Sequence, residues 1–177
     1  SYNASFTEPW LGGKKPNSLS VSLFESIQTD GLPKSNDARS VLKISGASVG
    51  LGRRLKFPDD FFQIYHEITY QRYFLDQWSG TFLFTDGTSN NLNFEQTISR
   101  NSVDGLVWIR SGSQVSFTVQ LTPPFSLLDK GTDYSTADAL TKYKWIEYHK
   151  WKFSGAFYKS IGKFVLFSRA QLGILGY

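Results

Sequence analysis

Gln114-Val115-Ser116-Phe117-Thr118-Val119-Gln120-Leu121-Thr122 carries an apolar side chain at every odd position and a neutral polar one at every even position. A β-strand points successive side chains to opposite faces, so this segment reads as a strand with one greasy and one wet side. At the roughly 100° per residue of a helix, the same apolar positions would scatter round the whole cylinder. Ser18-Leu19-Ser20-Val21-Ser22-Leu23 has the same period in its purest form.

Working outward, Phe62, Ile64, His66, Ile68, Tyr70, Arg72 and Phe74 alternate with Gln63, Tyr65, Glu67, Thr69, Gln71 and Tyr73. Leu92, Phe94 and Ile98 oppose Asn93, Glu95, Thr97 and Ser99; near the end, Phe164, Leu166, Ala170, Leu172 and Ile174 oppose Arg169, Gln171 and Gly173. Weaker alternation marks Ser1 to Thr7, Ser40 to Phe57 and Trp145 to Tyr158. The pattern predicts an all-β chain of about eight antiparallel strands and no helix.

Connections add direction. Short turn-like stretches fall at Gly12-Gly13-Lys14-Lys15-Pro16-Asn17, Pro58-Asp59-Asp60, Arg110-Ser111-Gly112-Ser113 and Ile161-Gly162-Lys163, and they alternate with longer ones near Thr29 to Arg39, Ser79 to Asn91 and Pro123 to Lys142. An up-and-down meander then has its tight turns at one end and its long loops at the other, the asymmetry of outer-membrane barrels. Several runs exceed the roughly 5 to 6 residues of an ordinary strand and match the 9 to 11 or more that cross a bilayer at a tilt. Trp10, Trp78, Trp108 and Trp145 sit at predicted strand ends, as membrane-interface aromatics do.

Composition agrees with two-faced strands. The 177 residues are 40% hydrophobic and 16% aromatic, with 19 Lys+Arg against 15 Asp+Glu and a net charge of +4. The mean hydropathy of -0.28 is the average that alternating strands produce. No run approaches the roughly 18 consecutive apolar residues of a spanning helix, and no basic-then-apolar leader is present. The chain has neither Cys nor Met, which excludes disulfides and thiolate chemistry and leads us to expect a translation start upstream of Ser1.

Catalytic and ligand motifs are lacking. His66-Glu67-Ile68-Thr69-Tyr70 begins like a zinc motif but has Tyr70 where a second ligand is needed, and it lies in a strand. Gly50-Leu51-Gly52-Arg53-Arg54-Leu55 lacks the third glycine and the helix of a dinucleotide fold. Asp129, Asp133 and Asp138 match no calcium loop, and Asn3-Ala4-Ser5 is a sequon inside a strand. Tyr148-His149-Lys150-Trp151-Lys152-Phe153 mixes bases and aromatics, yet a strand separates the lysines from Trp151 and Phe153. We therefore expect no enzyme activity, metal, cofactor or nucleic-acid partner.

On a barrel reading, Leu19, Val21, Leu23, Val115, Phe117 and Val119 are lipid-facing candidates, and Glu67, Gln71, Glu95, Arg169 and Gln171 are lumen-facing ones. Alternation alone leaves open which face is inside. A soluble ligand-binding barrel would reverse the assignment.

Three strings bring a family to bear. Asn3-Ala4-Ser5-Phe6-Thr7-Glu8-Pro9-Trp10-Leu11-Gly12-Gly13 resembles a descending strand that ends in an acidic residue, Pro, an aromatic and a tight turn. Leu55-Lys56-Phe57-Pro58-Asp59-Asp60 resembles the strand end before the next periplasmic turn, and Ile98-Ser99-Arg100-Asn101-Ser102-Val103-Asp104 the strand running into a Gly-Ser turn. In this order they are similar to the barrel domain of the BamA family of outer-membrane β-barrel assembly factors, relatives of the two-partner secretion transporters.

The resemblance implies a segment of a sixteen-stranded transmembrane barrel, matching roughly its fourth to eleventh strands. The family's periplasmic domains, its first and last strands and its Arg-Gly loop, which would follow Tyr177, are not represented in 1–177, read as one barrel region. It also implies a Gram-negative outer-membrane location, insertion of other barrels without a cofactor, and partners comprising outer-membrane lipids, lipoprotein subunits and unfolded outer-membrane clients. An alternative is a complete eight-stranded barrel acting as adhesin, pore or binding scaffold, in which the strand of Ser1 to Thr7 would pair with the one ending at Tyr177.

Overall fold

The computed structural model describes residues 1–13, 17–79, 83–129, 131, 133, 134 and 136–176. Part of the first expected turn, at Lys14, Lys15 and Pro16, and the terminal aromatic Tyr177 lie outside the described residues. The strands are β1 Tyr2–Glu8, β2 Asn17–Thr29, β3 Val41–Arg54, β4 Phe62–Asp76, β5 Gly87–Asn101, β6 Gly112–Leu121, β7 His149–Ile161 and β8 Phe164–Gly176. They form one sheet in sequence order, each antiparallel to the next. The predicted all-β, up-and-down architecture of eight strands is the observed one.

Among the described residues β1 pairs only with β2 and β8 only with β7, so the sheet is open. The closed eight-stranded alternative required β1 to pair with β8, and it is not the structure seen. A soluble barrel with Leu19, Val21 and Leu23 in a closed core is not seen either: the only buried hydrophobic side chains among the described residues are Leu42 and Leu75.

Strand boundaries differ from the sequence pattern in three places. β5 begins at Gly87, so Thr88 to Asn91 are ladder rather than loop. The β5–β6 connection occupies 102–111, a hairpin extension and not a tight turn, closed by Ser102 N donating to Ser113 O (2.9 Å) and Asp104 N to Ser111 O (3.1 Å). β7 begins at His149, because the segment from Trp145 that alternates in sequence does other work.

That work follows from the shortness of β6. Its last residue, Leu121, pairs with Phe94, which leaves the Gly87–Asn93 stretch of β5 without a β6 partner. The β6–β7 connection returns to fill the gap: Asn90 N donates to Lys144 O and Ile146 N donates to Asn90 O, both at 2.8 Å, in a parallel bridge centred on Trp145. Ser89 Oγ adds a bond to Tyr143 O at 2.6 Å. The strap therefore satisfies backbone groups that would otherwise be orphaned. The same connection holds two one-turn helices that the periodicity did not predict, α1 Phe125–Leu128 and α2 Ala139–Lys142. α2 seats Leu140 where Gly87 has no side chain, since a Cβ there would lie 2.3 Å from Leu140 Cδ2. Gly87 is the ladder partner of Leu75, which in turn opposes Leu42, so the loop end carries the small apolar core.

Candidate membrane and lumen surfaces

Register converts alternation into rows that run across the whole sheet. One row reads Phe6, Val21, Val49, Ile68, Phe94 and Leu121, then reaches His149 on β7. The next row, one residue along and hence on the other face, reads Thr7, Ser20, Gly50, Glu67, Glu95, Gln120 and Lys150. A one-residue slip in any pairing would mix the two sets, so the burial of either face fixes the register.

The faces differ in burial as well as in polarity. Every buried strand residue, including Thr69, Ser89, Asn91 and Asn93, lies on the polar face, whereas Leu23, Ile68 and Leu172 on the apolar face are more than half exposed. No second layer covers either side among the described strands. Side chains crowd on the inside of a curved sheet and splay on the outside, so burial confined to the polar face is the pattern that an inner face would show.

The six lipid-facing candidates, Leu19, Val21, Leu23, Val115, Phe117 and Val119, all fall on the apolar face. Phe117 pairs with Phe153, and its ring lies 6.0 Å from that of Trp151. The five lumen candidates, Glu67, Gln71, Glu95, Arg169 and Gln171, all fall on the polar face. The four tryptophans part company. Trp10 lies at the β1 turn, its backbone N–H bonded to Glu8 Oε1 at 3.0 Å. Trp78 is the second residue of the β4–β5 loop, its backbone N–H bonded to Thr85 O at 3.0 Å. Trp108 sits at the tip of the 102–111 hairpin, almost fully exposed. Trp145 belongs to the strap, stacked on Phe125 at 4.3 Å and beside Tyr70 at 6.4 Å.

The middle of the polar face is a network that the sequence did not single out. Tyr65 Oη donates to Glu67 Oε2 (2.6 Å). Its one proton being so used, Tyr65 accepts from Ser20 Oγ at 2.8 Å, which crosses over β3. Gly50 makes that reach possible, since a Cβ there would stand 2.0 Å from Tyr65 Oη. Thr69 Oγ1 also donates to Glu67 (2.9 Å), while Gln120 Nε2 donates to Glu95 and Thr97 shares a bond with Thr118 at 2.8 Å. Among the described residues, neutral donors alone serve the two carboxylates. Alternation had placed each of these residues on the right face; the strand offsets that bring them together depend on turn lengths.

At the turn end Arg100 ties two connections. Its guanidinium meets Asp59 Oδ2 at 2.9 Å, donates to Ser102 Oγ (2.8 Å) and Ser113 Oγ (3.1 Å), and lies over the Phe61 ring. In the loops, the Asp30 carboxyl is held below its ordinary pKa, chiefly by the Ser40 N–H and then by the Leu32 N–H. Asp104 is likewise lowered, first by the Arg110 N–H and next by that of Ser111. Among the described residues no group of three or more His, Asp or Glu is placed to hold a metal. His66 stacks on Phe94, and His149 accepts from Trp151 Nε1 at 3.0 Å, both on the apolar face.

An open meander of long strands, apolar on one face and hydrogen-bonded on the other, is the wall of an outer-membrane-type β-barrel. Residues 1–177 match the model of the Omp85 superfamily domain, and the chain belongs to that superfamily. In three dimensions it is similar to BamA from Haemophilus ducreyi lacking POTRA domains 1–3, with a TM-score of 0.65 and 17% identity over 98% of this chain. The match spans 32% of that BamA chain, so these residues correspond to a part of a barrel. No curated protein matches the chain in sequence.

Proposed function

We propose that these strands form part of the wall of a BamA-like insertase in the Gram-negative outer membrane. The apolar face, with Leu19, Val21, Leu23, Val115, Phe117 and Val119, meets lipid. The polar face, with Glu67, Gln71, Glu95, Arg169 and Gln171, lines a wet lumen. Trp10, Trp78, Trp108 and Trp145 mark the two interfaces, and the protein inserts unfolded outer-membrane clients alongside lipoprotein subunits without a cofactor or catalytic step. The observation that carries this reading is the segregation of an apolar face from a polar one across all eight strands of an Omp85 chain, with every buried strand residue, on β3 to β5, lying on the polar face.

Two measurements on the full-length protein test it. Reconstituted in phospholipid vesicles, it should speed the folding of a urea-denatured outer-membrane porin into its heat-resistant form with no nucleotide present; no acceleration overturns the insertase assignment. Because the 177 residues contain no Cys, single cysteines at Leu23 or Phe117 and at Gln71 or Gln171 can be labelled without replacing others in this region. Water-soluble maleimide should reach the second pair and spare the first.

A further inference from the structure

The 102–111 hairpin ends in three consecutive apolar residues, Leu106, Val107 and Trp108, that are 96%, 79% and 88% exposed. This is not slack chain. Asp104 Oδ1 accepts from Arg110 N and its Oδ2 from Ser111 Oγ, each at 2.9 Å, across the base of the tip. Arg110 Nη2 in turn donates to Gly162 O (2.9 Å) and Ser160 Oγ (3.3 Å), fastening the hairpin to the β7–β8 turn. Gly112, at φ 112°, packs so closely against the hairpin that a Cβ would meet Ser102 O at 2.3 Å. An ordered element that holds its most apolar residues in the open is built to meet something.

Continuity with the apolar face indicates what that is. Gly112 pairs with Tyr158, so the ladder continued past β6 brings 109–111 level with Lys159, Ser160 and Ile161. Ile161 and its partner Phe164 lie on the apolar face, and Phe164 is 80% exposed. On the other side Phe57 of the β3–β4 turn is 84% exposed. Exposed cations, Arg53, Arg54, Lys56, Lys159 and Lys163, accompany these side chains and outnumber the exposed acid Asp60, while Asp59 and Asp104 are occupied within the turns. Aromatic and aliphatic tips among cations suit the phosphate level of a bilayer.

We infer that the Leu106–Trp108 hairpin tip docks into the headgroup region of the lipid leaflet at the turn end, anchoring the barrel wall there. This rests on the wall reading above and adds a specific lipid contact below the strands. Water-excluding contact of three adjacent apolar side chains supplies the attraction, and the Asp104 and Arg110 bonds hold the tip in place so that little ordering is left to binding.

The test uses the full-length protein with Val107→Cys carrying an environment-sensitive fluorophore, in vesicles of phosphatidylethanolamine and phosphatidylglycerol. Lipids bearing a quencher near the headgroup should dim the label more than lipids quenched at the chain ends, and aqueous iodide should have little effect. A label at Leu172→Cys on the apolar face reports the wall reading independently. Lipid quenching at Leu172 with iodide quenching at Val107 overturns the anchor and leaves the wall intact. Protection of Val107 from both quenchers shows a protein cover and also overturns the anchor. Failure of lipid quenching at Leu172 overturns both. Should the Val107 label disturb folding, native Trp108 compared with Trp108→Ser gives the same readout: the emission lost with Trp108 should be the part dimmed by headgroup quenchers, and iodide sensitivity of that part overturns the proposal.

Discussion

Glu67 and Glu95 stand directly opposite one another in the β4–β5 ladder, and neither reaches a cationic side chain within 4.0 Å among the described residues. Like charges in register destabilise a sheet pair by roughly 0.2–1 kcal/mol. Tyr65 and Thr69 on one side and Gln120 on the other offset this by supplying donors. Glu67→Gln keeps an acceptor and removes the repulsion, so the urea midpoint of the reconstituted protein should stay or rise. Glu67→Ala strips Tyr65 and Thr69 of their acceptor and should cost about 1–3 kcal/mol. Equal loss in both variants would show that the opposed charges carry no strain.

Gly50 tests the reach of Tyr65 over β3. Gly50→Val puts a branched side chain where Tyr65 Oη now sits and should expel the ring, breaking the Ser20 bond at a cost of roughly 1–3 kcal/mol. Pairing it with Tyr65→Ala should give less than the sum of the two losses, because the clash with the ring is then gone and only Ser20 Oγ, 2.6 Å from that Cβ, remains to be met. Heat-modifiability on gels offers a direct readout, and strict additivity would refute the contact.

Arg100 holds Asp59, Ser102 and Ser113 at once through one planar group. Lysine has a single point of donation and cannot span all three. Arg100→Lys should therefore fall close to Arg100→Ala, each losing about 1 kcal/mol because the pair is about one-third exposed. Full retention of stability in the lysine variant would mean that charge alone matters there.

The β2–β3 loop should respond to acid. Asp30 bridges it, its Oδ2 accepting from Ser40 N and its Oδ1 from Leu32 N, each at 3.0 Å. Its folded pKa is depressed below the usual carboxylate value, so the ordering it provides is complete above about pH 3.9 and fades as pH falls through the folded pKa. Hydrogen exchange at the Ser40 amide should accelerate over that range, relative to neighbouring amides, and Asp30→Asn should abolish the pH-dependent component. A profile unchanged by the substitution would exclude Asp30 as its source.

Period-two alternation was enough to find the eight strands and to sort their side chains into an apolar and a polar set, which never mix along Ser18 to Leu23 or Gln114 to Leu121, but it missed the ends of β5 and β7. It could not show that Glu67 meets Glu95, since an offset between strands depends on how many residues each turn consumes. Nor could it show that Trp145 lies in a strap. Its alternation with Glu147 and His149 is a strand pattern, and only the early end of β6 at Leu121 frees the edge that the strap occupies. The period places Trp108 at a strand end, whereas it sits at the exposed tip of a hairpin extension that alternation does not mark. Asp104 and Arg110, which build the extension, gain their meaning from contacts across 102–111 and with Gly162.

The strap at Asn90 cuts one long excursion into two closed circuits. Thr122 and Tyr148 clasp its base, Tyr148 N reaching Thr122 Oγ1 at 2.6 Å, and Lys144 to Ile146 are pinned to the sheet. Variation in length is therefore confined to the circuit between α1 and α2, where closing a longer loop costs little. An added tag near Gly131 should be tolerated, whereas one between Tyr143 and Tyr148 would pull the clasp open. Within this connection, the freedom to drift belongs to that one arc.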